Sequence, residues 1–125
     1  MKYRPIEKKN PQDRSQSKFY VQPVRGGTWG RKEIETYLVE KTALSKAEAR
    51  GVTITLVDFI KEELLKGNAI KVEGLGTFSI RVKSEGSDTA EEVTAKNVKS
   101  VIISFRSDSE LREEVSKIKF KKISD

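Results

Sequence analysis

The chain has no cysteine and no histidine, one methionine, one tryptophan and three prolines in 125 residues. Without cysteine there are no disulfides and no thiolate nucleophiles. Without histidine and cysteine together, zinc sites and Ser-His-Asp triads are excluded. Carboxylate, lysine or tyrosine chemistry is left, with hard cations on oxygen ligands. Adjacent acids such as Glu62 with Glu63 diverge on a chain, so no convergent acid-base pair can be named and no enzyme is expected. Long hydrophobic runs are missing too: no apolar stretch approaches the roughly 20 residues of a membrane span. Met1-Lys2-Tyr3-Arg4-Pro5 is followed by no apolar run of the kind a secretory signal needs. The expectation is a cytoplasmic protein with no membrane partner, no small-molecule substrate and no cofactor or metal.

What the chain does have is charge, 35% of residues, alongside 35% hydrophobic residues that recur periodically, as in a globular domain. The formal net charge of +6 points to an anionic partner, nucleic acid ahead of a membrane surface. That charge is unevenly placed. Residues 1–27 carry seven cations (Lys2, Arg4, Lys8, Lys9, Arg14, Lys18, Arg25) against Glu7 and Asp13, whereas 28–125 are nearly balanced. Basicity is an N-terminal property, which suggests a basic extension over 1–27 and a folded domain over 28–125.

Local patterns give an element order. Lys2–Lys8 and Lys18–Val24 are extended candidates around Asn10-Pro11-Gln12-Asp13, whose proline and Asx residues favour a turn. They form either a loose hairpin or a disordered basic arm. Thr28 is a plausible N-cap for a helix to about Lys41, with Trp29, Ile34, Tyr37 and Leu38 on its apolar face. Ser45 and Glu48 make a capping box for a second helix to Lys66, closed by Gly67. Ala49, Val52, Leu56, Val57, Phe59, Ile60 and Leu64 share one broad face of that helix, and Ile54 and Leu65 form a second stripe. So wide an arc suits burial against a partner chain, or else cover from helix 1 or the hairpin.

From Ala69 the period becomes two. Ile70 and Val72 begin a strand, Gly74-Leu75-Gly76 interrupts it, and Phe78, Ile80 and Val82 alternate with polar residues. A strand over Lys96–Arg106 places Val101, Ile103 and Phe105 on one face. Between them, 84–95 holds four acids and no cation. Ser107 or Asp108 can cap a last helix carrying Leu111, Val115 and Ile118, followed by Lys117, Lys119, Lys121 and Lys122, which suit the negative end of its dipole. The outline is α+β: two helices, a three-stranded antiparallel meander and a terminal helix.

Gly74-x-Gly76 alone is no nucleotide fingerprint, since position 79 is a serine and a strand follows. The glycines fit a bulge or tight bend. In context, however, Val72-Glu73-Gly74-Leu75-Gly76-Thr77-Phe78 after a capped two-helix unit resembles the HU/IHF histone-like DNA-binding proteins, whose pattern there is apolar-x-Gly-Phe-Gly-x-Phe. Leu75 stands at the usual phenylalanine. Phe105-Arg106 with Leu111-Arg112 is similar to the family's Phe-Arg-x-Gly-Lys-x-Leu-Lys, Asp108-Ser109 replacing Gly-Lys. The matches cover about 28–118, and the basic extension resembles the longer HU-related branch.

The resemblance implies a non-catalytic, intertwined homodimer whose sheets form a saddle and whose strand pairs extend arms around double-stranded DNA, a sequence-tolerant protein that organises the nucleoid. It implies a dimer interface that includes Val52, Leu56, Phe59, Ile60, Phe78 and Phe105. Arg81 and Lys83, on the face opposite Phe78, Ile80 and Val82, could line the saddle, with Lys96, Lys99, Arg106 and Arg112 as further phosphate contacts. The N-terminal Lys2, Arg4, Lys8, Lys9, Arg14 and Lys18 join them. Phe19, Tyr20 and Trp29 fit core positions better than base-stacking platforms. Family arms are basic and end in a wedging proline, whereas 84–95 contain neither cation nor proline, which predicts a short or folded-back arm and weaker bending. A dimeric interaction scaffold with weak DNA affinity is the competing function.

Overall fold

The computed structural model describes residues 1–123. In chain order the elements are strands β1 (Lys2–Lys9) and β2 (Ser17–Val24), helices α1 (Arg31–Lys41) and α2 (Lys46–Leu65), strands β3 (Ile70–Val72), β4 (Gly76–Ser84) and β5 (Val98–Ser107), helix α3 (Ser109–Ser116) and the two-residue strand β6 (Lys121–Lys122). They divide into two compact units. One comprises Met1–Thr28 together with the C-terminal stretch from Glu114, and the other comprises Trp29–Glu113.

The first unit is a three-stranded sheet of order β2-β1-β6. β1 and β2 form an unbroken antiparallel ladder from Lys2↔Val24 to Lys9↔Ser17. The turn has the chemistry its residues suggest: Gln12 N donates to Asn10 Oδ1 at 2.9 Å and Ser15 N to Asp13 Oδ1 at 3.1 Å, while Asn10 N closes on Gln16 O at 2.9 Å. β6 lies parallel to β1, with Lys2↔Lys121 and Tyr3↔Lys122. Met1 N donates to Lys119 O at 2.7 Å, and Lys121 N to Met1 O at 2.9 Å. The C-terminal lysines therefore do not extend the last helix. Backbone bonds from Lys117 N to Glu114 O and Ile118 N to Val115 O tighten its final turn, and the chain then satisfies its backbone groups against β1.

In the second unit the first helix is capped by Gly30, not Thr28. The Glu33 carboxylate accepts from Gly30 N at 2.8 Å, the reciprocal half of a capping box with no capping side chain at Gly30 itself, and this contact holds the Glu33 carboxyl below its ordinary pKa. α2 starts at the expected capping box: Glu48 N donates to Ser45 Oγ at 3.2 Å and Ser45 N to Glu48 Oε1 at 3.1 Å. It ends with Gly67 at φ 87°, Gly67 N bonding Leu64 O and Asn68 N bonding Glu63 O, both 2.9 Å, a Schellman closure that requires the left-handed backbone.

The meander β3-β4-β5 is antiparallel throughout. Gly76 lies where β4 passes β5 so closely that an added Cβ would sit 2.8 Å from Phe105 Cζ and Ser107 Cα. The chain enters β5 at Val98 rather than Lys96, because Ala95–Asn97 form a 3-10 turn, and a bulge at Lys83/Ser84 absorbs the offset.

Apolar burial is scarce. Among the described residues only Ala49 and Ile70 are buried hydrophobics, while Leu56 is 53% and Phe59 52% exposed on α2, and Ile103 70% on β5. The solvent-accessible area is 11092 Å². Two separate globules of these sizes would expose only about 8,000 Å² between them. The single chain leaves open the surface that a core normally closes.

Candidate nucleic-acid interface

In an antiparallel ladder successive side chains alternate faces, so register sorts the candidate residues. Phe78↔Phe105, Ile80↔Ile103 and Val82↔Val101 put an apolar row on one side of β4–β5, where the Phe78 and Phe105 rings meet at 4.8 Å and 42°. Thr77↔Arg106, Ser79↔Ser104, Arg81↔Ile102 and Lys83↔Ser100 occupy the other. That side carries three cations among small hydroxyl side chains and Ile102, and no acid, and Arg81, Lys83 and Arg106 are all exposed.

The remaining core cations are not brought there. Lys99 occupies the bulge and pairs with Glu85 at 3.2 Å, which neutralises it. The Arg112 guanidinium donates to the Ser107 carbonyl and ties α3 to the end of β5. Lys96 sits in the 3-10 turn. Asp108, which replaces a glycine of the family pattern, serves the fold: its Oδ2 accepts from Gly74 N at 3.1 Å, its own N donates to Leu75 O at 2.8 Å, and its carbonyl accepts from Arg112 N at 3.0 Å. The bend between β3 and β4 is thereby fastened to the start of α3.

The acidic connection after β4 is folded back. Asn97 Nδ2 donates to Glu85 O and Ser87 Oγ, both at 2.8 Å, its Oδ1 accepts from Thr94 N at 2.9 Å, and Glu85 N donates to Asn97 O at 2.8 Å. One asparagine thus closes both ends of the segment. The sequence offered an Asn in a polar run, with nothing to mark it as the clasp.

On the N-terminal sheet, Lys2, Arg4 and Lys8 of β1 share a face with Lys18, Tyr20 and Gln22 of β2. Lys8 Nζ lies 5.5 Å from the Tyr20 ring centroid, a cation–π distance. Lys9 points to the opposite side, with Tyr3, Pro5, Glu7, Phe19 and Val21, and Arg14 belongs to the turn. The face gains one cation that sequence reasoning missed, Lys121, which β6 sets directly beside Lys2. Only parallel pairing across the whole length of the chain reveals it.

Of the expected interface residues, Val52, Leu56, Phe59 and Phe105 are widely exposed, and Ile60 and Phe78 are half-buried. Gly51, Val52, Thr55, Leu56 and Phe59 line an open concavity on α2.

Comparison with known proteins agrees with this architecture. The family model for an HU domain fused to a winged-helix, Ig or glycine-rich motif, HU-HIG, matches residues 1–122. Integration host factor subunit alpha of Colwellia psychrerythraea is 31% identical over 87 residues, covering 66% of this chain and 88% of that one. The same subunit of Mannheimia succiniciproducens is 32% identical over 91 residues, covering 70% and 91%. Among solved structures, a point mutant of HU from Thermotoga maritima superposes at a TM-score of 0.53 with 23% identity, covering 70% of this chain and 99% of that chain. Anabaena HU in its DNA cocrystal gives 0.57 with 19% identity, covering 72% and 100%. A Bacteroides vulgatus structure described as a bacterial DNA binding protein covers 98% of this chain and 48% of that one, at 0.63 and 13% identity. The chain belongs to the HU/IHF family, in its HU-HIG branch.

Proposed function

We propose that the protein is a non-enzymatic architectural DNA-binding protein, a homodimer that binds double-stranded DNA with little sequence preference and organises the nucleoid in the cytoplasm. The observation that carries this reading is the β4–β5 face, where Arg81, Lys83 and Arg106 stand among serines, a threonine and Ile102 with no acid in register. Such a surface suits phosphate and groove shape rather than base edges. The longest helix, α2, is built on a broad apolar face, with Lys46, Arg50 and Lys61 dispersed among Glu48, Asp58, Glu62 and Glu63, and makes no cationic face for reading bases. The Anabaena relative was crystallised with DNA, and the integration host factor relatives are named as subunits, in line with both halves of the reading.

Dimerisation rests on the open apolar surface. A second chain covering Leu56 and Phe59 on α2 would supply the core this chain lacks, and dimers of this kind often have no stable monomer. The folded-back acidic connection bears on deformation: without proline or unpaired lysine at its tip, it offers no wedge, and the DNA is bent less per bound dimer than by proline-tipped arms.

A mobility-shift titration of several unrelated duplexes at near-physiological salt, with sedimentation of the free protein at micromolar concentration, tests both halves. Similar affinities across duplexes and a folded species of twice the chain mass are expected. A strong preference for one sequence, no duplex binding, or a folded monomer would overturn the reading.

A further inference from the structure

The N-terminal sheet separates its charge by face. Lys2, Arg4, Lys8 and Lys18 share one side with Ile6, Tyr20, Gln22 and Val24, and β6 adds Lys121. The other side holds Tyr3, Pro5, Glu7, Phe19, Val21 and Pro23, with Lys9 and Lys122. No acid lies on the cationic side; Glu7, on the opposite face, accepts from Ser17 Oγ at 2.6 Å. Among the described residues, none of the five cations forms an ion pair, although Arg31, Lys66, Lys71 and Lys99 all do so in the second unit.

Two of the pairings oppose like charges directly. Lys8 faces Lys18 across β1–β2, and Lys2 faces Lys121 across β1–β6. Like charges directly opposite one another in a ladder are destabilising. A sequence that accumulates this repulsion twice on one face, while the other face stays mostly neutral, conflicts locally with its own fold, a pattern expected at functional sites. An anionic surface laid across the face would remove the conflict. From Lys2 to Lys8 the cations run along about 20 Å of strand, a distance over which a duplex presents a phosphate for every 1.7 Å or so of its axis. A row of fixed cations with no acid among them complements that density better than it complements a discrete small anion.

We propose that the face formed by Lys2, Arg4, Lys8, Lys18 and Lys121 is a second phosphate-backbone binding surface for duplex DNA, in addition to the Arg81, Lys83 and Arg106 face and completed by the C-terminal strand. It rests on the reading of the protein as a DNA-binding protein.

The test compares two full-length variants that lose the same charge. K2Q/R4Q/K18Q/K121Q removes four of the five cations of the face, leaving Lys8 against Tyr20, and K9Q/R14Q/R25Q/K122Q removes four cations from outside it. Each phosphate contact contributes about −0.9 to the slope of log K against log salt, so the first variant should flatten the slope by about 3 to 4 and the second by less than about 1. Single K121Q should flatten it by about 0.9, although its position in sequence is remote from the hairpin. Far-ultraviolet circular dichroism and melting establish that each variant is folded, and K2R/K18R/K121R, which keeps the charge, should retain the wild-type slope. Equal effects of the two quadruple variants would reduce the result to net charge and overturn the proposal, as would an unchanged slope in the first. Stronger dependence on these residues for binding phosphatidylserine vesicles than for duplex would make the face a membrane contact and overturn it as well. If R81Q/K83Q/R106Q changes the slope and the face variant does not, the DNA-binding reading stands and this surface falls. If the wild type binds no duplex, the reading itself fails.

Discussion

The N-terminal sheet and the β4–β5 ladder are both two-faced antiparallel structures, yet they use their faces for opposite ends. On β4–β5 the apolar row of Phe78, Ile80, Val82, Val101, Ile103 and Phe105 is the larger feature, backed by three cations among hydroxyls. On the N-terminal sheet the cationic row dominates, and the reverse side is a mixture of Tyr3, Pro5, Phe19 and Val21 with charged neighbours. The same period of two thus yields a surface suited to burial in one region and a surface suited to an anion in the other. On β4–β5 the apolar row and the cations lie on opposite faces of one ladder, so substitutions on the two faces can be read separately from each other and from those on the N-terminal sheet.

The largest expected effect breaks assembly alone. Phe59→Asp or Leu56→Asp places a charge in the surface a second chain would cover, where an unpaired buried carboxylate cannot be accommodated. Sedimentation and circular dichroism should show loss of the folded dimer. Phe19→Asp, at an exposed aromatic of the hairpin, should leave both intact. Next, R81Q/K83Q/R106Q should keep the fold and, with each proposed phosphate contact worth about 0.9, flatten the salt slope of duplex binding by about 2 to 3.

A smaller effect concerns the clasps. Asp108→Ala removes an acceptor for Gly74 N and should lower stability by about 1 kcal/mol, read in a denaturant titration. Asn97→Ala should open the acidic connection to protease cleavage near residues 86–94 while leaving duplex affinity within about twofold, because it costs a local clasp and no phosphate contact.

The smallest effect is a pH dependence carried mainly by the helical unit, with Asp13 of the N-terminal turn, lowered by its hydrogen bonds from Ser15, adding to it. Hydrogen bonds from Ser45 hold the Glu48 carboxyl below its ordinary value of 4.5, that from Gly30 does the same for Glu33, and the Asn68 hydrogen bond with the Lys66 charge does so for Glu63. A carboxyl depressed in the folded state stabilises fully above its unfolded pKa, and the contribution is lost as pH falls through the folded one. Melting temperature should therefore be flat above about pH 5.5 and decline below about pH 4.5. Glu48→Gln should make that decline shallower.

Much of the second unit was legible because its signals are local. Ser45 with Glu48, Gly67 after an amphipathic run, and the alternation from Phe78 to Val82 each fix backbone geometry within a few residues. Thr28 misled because the helix starts two residues later, where the Glu33 carboxylate three residues on takes the Gly30 N–H, so the first turn is placed by Glu33 rather than by the nearest hydroxyl.

The order from α1 to α3, the excess of cations before residue 28 and the over-wide apolar arc of α2 were legible in the chain alone, since composition and periodicity are properties of residues read in order, whereas β6 carries no local signal. Tertiary structure alone decided which cations share a surface. It turned Lys9 to the opposite face and left Arg14 in the turn, spent Lys99 on Glu85 and Arg112 on the Ser107 carbonyl, and carried Lys121 across the length of the chain to lie beside Lys2. The physical reason is that strand register and parallel pairing are set by backbone hydrogen bonds between distant segments, and one residue of register decides the side on which every charge emerges.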